Sequence, residues 1–394
     1  MKNFTILLKT ILTALLLCVL MISSGTMSVY AKEIKKNSQD VKALREIVKK
    51  QRALGARVSN NIDNKKYKWN ENGRLVEIRW WGKHLRGTLD LTGLKKLEKI
   101  DVCRNDLKGL VIKNNKNLRE VLCYENRISE LNVSKNKKLV ILFCDDNKIK
   151  KLDVTKNSKL EVLDCSINQI KKIDVSKNEL LKVLGCSNDK IRTLDVSKNM
   201  MLEELVYGGK NFTTMDIKNN TKLKKLYYAG SAIEGITIDI SSNKELEVLK
   251  CMESGLTSLD VSNNPLLKEL NCYNNELSSL DVSNNPLLEE LNCSNNNLSS
   301  LDVSNNPLLE ELNCDNNQLT SLSIFNNTKL KELTVYNNQL TSLDISKNVM
   351  LEYLYCEENS LTELDISNNP KLSPYSLWYD QGDVNIIKNT ENKQ

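Results

Sequence analysis

The sequence predicts an α/β-type solenoid of about thirteen 21-residue turns, with a curved parallel β-sheet on its concave side, an irregular or strand-like convex side and a helical N-terminal cap. Three observations predict it. Cys123, Cys144, Cys165 and Cys186 are spaced by 21 residues, as are Cys251, Cys272, Cys293 and Cys314, and Cys356 lies two periods further on. Val102, Tyr207, Tyr228 and Val335 fill the remaining slots in step, with one two-residue insertion near Gly235. The length of 394 residues exceeds the ~250–300 at which a single globular core stops growing, a limit that stacked repeats escape.

The first element is a secretory signal over residues 1–31. Lys2 and Lys9 precede an uncharged run from Ile11 to Ile22, and Val29-Tyr30-Ala31 supplies the small residues of a cleavage site. The apolar run is shorter than the ~20 residues that span a bilayer, so the expected mature chain has no transmembrane anchor. Residues 32–96 read as an N-terminal cap with a first degenerate repeat. Within it, Val41, Leu44, Ile47 and Val48 fall at helical spacing between Asp40 and Leu54. Trp69, Trp80 and Trp81 lie before the regular repeats and Trp378 after them, as rings that close uncovered solenoid ends.

Residues 97–372 form the repeats. Leu267, Leu270, Cys272, Asn275 and Leu277 give L-x-x-L-x-C-x-x-N-x-L, and Leu280, Asp281, Val282, Ser283 and Asn285 follow as L-D-V-S-x-N, the leucine-rich repeat signature. Leu270 and Cys272 alternate with Asn271 and Tyr273, so in a strand the first pair points inward and the second outward. The Asn after each strand turns the chain, and its amide is placed to bond the adjacent turn as a ladder. That Asn is replaced by Asp189, Lys210, Ser231 and Ser254 in four successive turns, a bend or a run of degenerate repeats. Residues 373–394 form a C-terminal cap and tail, in which Tyr375, Trp378, Tyr379 and the Val384-Asn385-Ile386 strand are expected to finish the sheet.

A 21-residue repeat with Cys at the inward strand position resembles the cysteine-ladder repeats of internalin J-like leucine-rich repeat proteins of Gram-positive bacteria. The resemblance covers residues 97–372 and implies a cell-surface adhesin. No Ig-like domain, LPxTG-type sorting signal or mucin-binding module follows these repeats. The expected location is therefore secreted, with loose rather than covalent surface association.

The residues that carry chemistry elsewhere have structural readings here. Ladder sulfurs on adjacent parallel strands sit ~4.8 Å apart, beyond disulfide reach, and read as buried thiols that act as small hydrophobes. With one His there is no convergent ligand set for a metal and no cofactor site, and no catalytic grouping emerges, so an enzyme is not expected. Cys103 falls one residue past the ladder slot and is expected to face outward as a candidate reactive thiol. The row Asp153, Asp174, Asp195, Asp216, Asp239, Asp260, Asp281, Asp302, Asp344 and Asp365 lacks the glycine of a calcium loop and reads as local turn bonding.

Function is expected on the outward strand positions. Leu122, Tyr124, Ile141, Phe143, Val162, Ile167, Val183, Val206 and Tyr227 are a dense apolar set. Later turns are acidic with tyrosines: Glu290, Asn292, Glu311, Asn313, Asp315, Glu332, Tyr336, Tyr353, Tyr355, Glu357 and Glu358. Charge divides likewise, +18 from Lys32 to Lys250 and −14 from Cys251 onward. The basic half suits contact with an anionic cell wall, and nucleic acid is not an expected partner of an exported chain. The reading is a protein- or glycan-binding module using its concave sheet, in adhesion or host interaction. The alternative is an envelope-associated, self-assembling repeat protein without a dedicated ligand.

Overall fold

The computed structural model describes residues 35–187, 190–209, 216–229 and 237–388, in two compact units, Met1–Leu194 and Asp195–Gln394. The expected signal segment, Asp189, Lys210, Ser231, the insertion near Gly235 and the tail from Asn389 lie outside the described residues.

The first unit begins with helix α1 (Ser38–Ala53). Asn37 caps it by accepting the Gln39 and Asp40 N–H groups, satisfying two of the donors that a helix start leaves open. Leu44 and Val48 bury its apolar face, and two polar residues tie it down. Asp40, buried, holds Arg74 by two hydrogen bonds of 2.8 Å and accepts the Leu75 N–H. Gln51 donates to the Arg86 carbonyl and accepts the Arg86 N–H, which ties the helix to strand residues of the first turn. Gly73 is required where it stands: its φ is +67°, and a Cβ there would lie 2.1 Å from the Lys35 carbonyl oxygen.

Strand β1 (Tyr67–Trp69) pairs antiparallel with β2 (Leu75–Arg79). The sheet then continues in parallel through β4 (Lys99–Asp101), β6 (Glu120–Leu122), β7 (Ile141–Phe143), β8 (Val162–Asp164) and β9 (Val183–Gly185). On the opposite side β3 (Arg86–Asp90) pairs in parallel with β5 (Asp106–Val111). Trp80 follows β2 in the slot that Val102 fills one turn later and is 2% exposed, whereas Trp81 is 47% exposed and packs under Arg104 rather than closing the core.

The second unit is parallel throughout. Strands β10 (Glu204–Gly208), β11 (Lys225–Ala229), β12 (Val248–Lys250), β13 (Glu269–Asn271), β14 (Glu290–Asn292), β15 (Glu311–Asn313), β16 (Glu332–Thr334) and β17 (Tyr353–Tyr355) pair in order, each with the next. β18 (Glu363–Asp365) lies outside that row, and β19 (Leu377–Trp378) extends it. β20 (Asn385–Ile387) pairs with β18 instead, so the terminal Val384–Ile386 stretch does not finish the main sheet. Tyr207 and Tyr228, large for a Cys slot, stack on one another at 5.6 Å, and their strands stay in register over five residues.

Each unit has the same kind of interior. Val121, Leu142, Leu163, Leu270, Leu291 and Leu312 are at most 1% exposed, and the ten described cysteines are buried. The ladder Asn reaches as expected: Asn147 donates to the Cys123 carbonyl of the preceding turn and to Cys144 and Asp145 of its own, and accepts the Ile128 N–H. A second ladder runs along the other side. Asn157 donates to the Val133 and Asn136 carbonyls, Asn285 to those of Val261 and Asn264, and each is fully buried. These amides satisfy carbonyls that a tight turn would otherwise leave under-bonded.

Candidate ligand-binding face

Because the strands pair in register, each outward position repeats as a column along the sheet. In the first unit one column reads Glu120, Ile141, Val162, Val183 and the next Leu122, Phe143, Asp164, Gly185. The expected dense exposed apolar surface is corrected here: Leu122 and Phe143 are 4% and 6% exposed. Neighbours in a column stand one strand spacing apart, so large side chains cover each other. Tyr124, Ile141, Val162 and Val183 keep part of their surface open. Ile167 sits in the turn beyond, partly open, at φ +52°, a left-handed conformation unfavourable to a β-branched residue.

In the second unit Val206 and Tyr227 are likewise buried, at 1% and 5%. Tyr336 and Tyr355 are partly exposed and Tyr353 is 45% exposed. Tyr355 stacks on Trp378 at 4.3 Å, and the Tyr336 hydroxyl donates to Glu358 at 2.8 Å. Glu269, Glu290, Glu311 and Glu332 form one column, with Lys250 paired to Glu269 at its start. Partial burial, and then the flanking carboxylates, hold Glu290 and Glu332 above the usual carboxylate range.

Cys103 is also corrected. It lies on the outward side, yet it is 1% exposed, and its thiol donates to Asp101 at 2.7 Å. Burial and the Asp101 carboxylate push the thiol far up, which opposes formation of a reactive thiolate.

The aspartate row behaves as turn chemistry. Each of the ten accepts the N–H two residues on, as Asp153 does from Thr155 and Asp281 from Ser283, both at 2.9 Å. Among the described residues no group of three or more His, Cys, Asp or Glu could hold a metal ion. No helix there is long and apolar enough to cross a membrane.

Sequence reasoning missed a carboxylate pair. Asp164 interrupts the apolar column, wholly buried, and Asp145 stands one turn before it on the same face. The available signal was an Asp flanked at 21-residue steps by Phe143 and Gly185.

No family sequence model and no curated protein sequence matches the chain. Among solved structures it is similar to the functional domain of InlJ from Listeria monocytogenes, which includes a cysteine ladder. The two are 32% identical, with 78% of this chain and 68% of that one covered and a TM-score of 0.73. An internalin, inlF, from the same organism matches at 19% identity over 87% of this chain and 95% of its own, with a TM-score of 0.62. The plant peptide hormone receptor RGFR1, in complex with RGF2, matches at 19% identity over 80% and 60%, with a TM-score of 0.61. These two share the fold. The InlJ likeness, the buried cysteines at 21-residue spacing and the parallel sheet together place the chain in the internalin J-like, cysteine-ladder family of leucine-rich repeat proteins.

Proposed function

We propose that this is an exported binding module that recognises a protein ligand through the outward face of its sheet, in adhesion or host contact. The observation that carries the reading is partly exposed aromatic and aliphatic side chains at outward positions where the interior gains nothing from them. These are Tyr124, Ile141, Val162 and Ile167 in the first unit and Tyr336, Tyr353 and Tyr355 in the second. Open aromatic residues on a rigid sheet suit binding, because little side-chain entropy is lost on contact. The signal segment supports export, and the +18 stretch up to Lys250 supports loose contact with an anionic wall. The RGFR1 complex adds an analogy at the level of fold alone.

The test is capture of surface proteins from candidate host cells by the purified chain. Tyr353→Ala/Tyr355→Ala and Tyr124→Ala/Ile141→Ala variants, checked for unchanged melting, are compared with Lys156→Ala/Lys177→Ala on the opposite side. At least one sheet-face pair is expected to lose capture roughly tenfold while the lysine pair keeps it. Equal capture by all three would reject the sheet face.

A further inference from the structure

Where each turn leaves the sheet, two consecutive exposed residues stand between two buried apolar ones. In the first unit Lys150 and Lys151 lie between Ile149 and Leu152, and Lys171 and Lys172 between Ile170 and Ile173. Lys148, exposed, precedes the first pair, and Arg192, exposed, continues the Lys150 column at the next 21-residue step. Backbone bonds hold these turns in register: the Lys148 N–H donates to the Ile128 carbonyl at 2.9 Å and the Gln169 N–H to that of Ile149 at 2.8 Å. The ammonium groups therefore rise from backbone stacked at about 4.8 Å per turn.

The equivalent positions of the second unit carry no charge. Ser278 and Ser279, Ser299 and Ser300, and Thr320 and Ser321 are exposed between buried leucines in the same way. The turn thus needs only two solvated polar side chains there, and like charges on adjacent turns disfavour the lysines. Among the described residues none of Lys148, Lys150, Lys151, Lys171 and Lys172 forms an ion pair. Two residues beyond each pair stand Asp153 and Asp174. Their hydrogen bonds with Thr155 and Ser176 hold them below the usual carboxylate range, and neighbouring lysines, Lys151 and Lys172 among them, add to this. Each turn sets one carboxylate, already engaged by its turn, against two ammonium groups.

We propose that this lysine stripe is the seat of wall contact and that its partner is a flexible phosphodiester polymer. The inference rests on the loose wall contact read above and gives it a surface and a chemistry. A lysine ammonium carries three donors on a flexible stem and engages a phosphate oxygen without a fixed orientation. Two ammonium groups per turn suit the two unesterified oxygens of each phosphodiester. Repetition along the stack of turns suits repetition along a chain, so contacts that are individually weak add up. Nucleic acid fits less well, because from Lys148 to Lys177 there is no Phe, Trp or Tyr on which a base could stack.

The experiment measures binding of the full chain to poly(glycerol phosphate) over a series of salt concentrations, with inorganic phosphate and single-stranded DNA as comparators. Two variants remove equal charge from exposed positions of the first unit. One is Lys150→Gln/Lys151→Gln/Lys171→Gln/Lys172→Gln on the stripe, the other Lys49→Gln/Lys50→Gln/Lys65→Gln/Lys66→Gln away from it, and unchanged melting is checked in both. The stripe variant is expected to weaken polymer binding about tenfold or more at low salt and to flatten log affinity against log salt by about two, while the other loses less than about threefold. Arginine at the four stripe positions should keep binding, inorganic phosphate should bind far more weakly than the polymer, and DNA no more tightly at equal phosphate. Equal weakening by the two glutamine variants would overturn the stripe and leave wall contact as an effect of net charge. No binding of the polymer by the wild type would overturn both. Markedly tighter binding of DNA, or loss of a salt-sensitive dimer instead of polymer binding in the stripe variant, would assign the lysines to another partner and overturn the proposal.

Discussion

From Glu120 to Gly185 the outward strand positions are mostly aliphatic and aromatic around one hidden carboxylate, whereas from Glu269 to Thr334 they are glutamates beside asparagines and a threonine. Beneath both runs the interior is the same: one Leu or Val per strand, one Cys or Val after it, and two asparagine ladders. The interior cannot therefore require either exterior. Four like charges in register disfavour the acidic column, and an unpaired oxygen disfavours Asp164 in the apolar one. Features that cost stability on a face the fold leaves free are most simply explained by what that face meets.

The comparison breaks first if the interiors are not equivalent. Asn157→Ala in the first unit and Asn285→Ala in the second each remove two buried hydrogen bonds to carbonyls. Each should cost about 2 kcal/mol in urea unfolding, with the two values agreeing within about 0.5 kcal/mol. A gap above about 1 kcal/mol would mean that the exterior tunes the core and that the two interiors are not equivalent.

A reciprocal exchange sharpens the contrast further. Ile167 in the first unit and Asn295 in the second occupy the same turn, at φ +52° and +54°. Asparagine tolerates this region and a β-branched side chain does not, so Ile167→Asn should stabilise by about 1 kcal/mol and Asn295→Ile should destabilise by a similar amount. If Ile167→Asn stabilises and also weakens ligand capture, the strained isoleucine belongs to the binding face. Stabilisation with full capture would assign it to drift.

How far the sequence carries these conclusions depends on the physics behind each signal. The ladder was legible because Cys123, Cys144 and their successors must occupy one inward slot, and a fixed period leaves no other phase. The second ladder was not: Asn285 looks like any turn residue until its amide is seen reaching Val261. Alternation assigns Leu122 and Phe143 to the outer face but is silent on whether column neighbours cover them. The same silence hid Cys103, whose exposure depends on residues of its own and adjacent strands. Asp164 was passed over because its meaning lies in Gly185, 21 residues away in sequence and adjacent in space.

The smallest effect separates the two kinds of aspartate by the sign of their pH dependence. Burial raises Asp315, on the outward face of the second unit, to about 7, with Glu357 adding to the shift. Below about pH 4 folded and unfolded chains both hold its proton; as pH rises toward 7 only the unfolded chain has released it, so stability falls across that window. Asp315→Asn should remove the fall, gaining about 1 kcal/mol or less at pH 8 after solvent screening and nothing near pH 4. The turn aspartates act in the opposite sense. Ser283 donors hold Asp281 below the usual range, so its contribution is present above the unfolded value and disappears as pH falls through the folded one. Asp281→Asn should therefore matter at pH 7 and not in acid. Thermal melts of the two variants from about pH 2 to 8 should diverge from wild type in opposite senses, Asp281→Asn below about pH 4 and Asp315→Asn above it, and parallel curves would remove the distinction between a face held for a partner and a turn held for the fold.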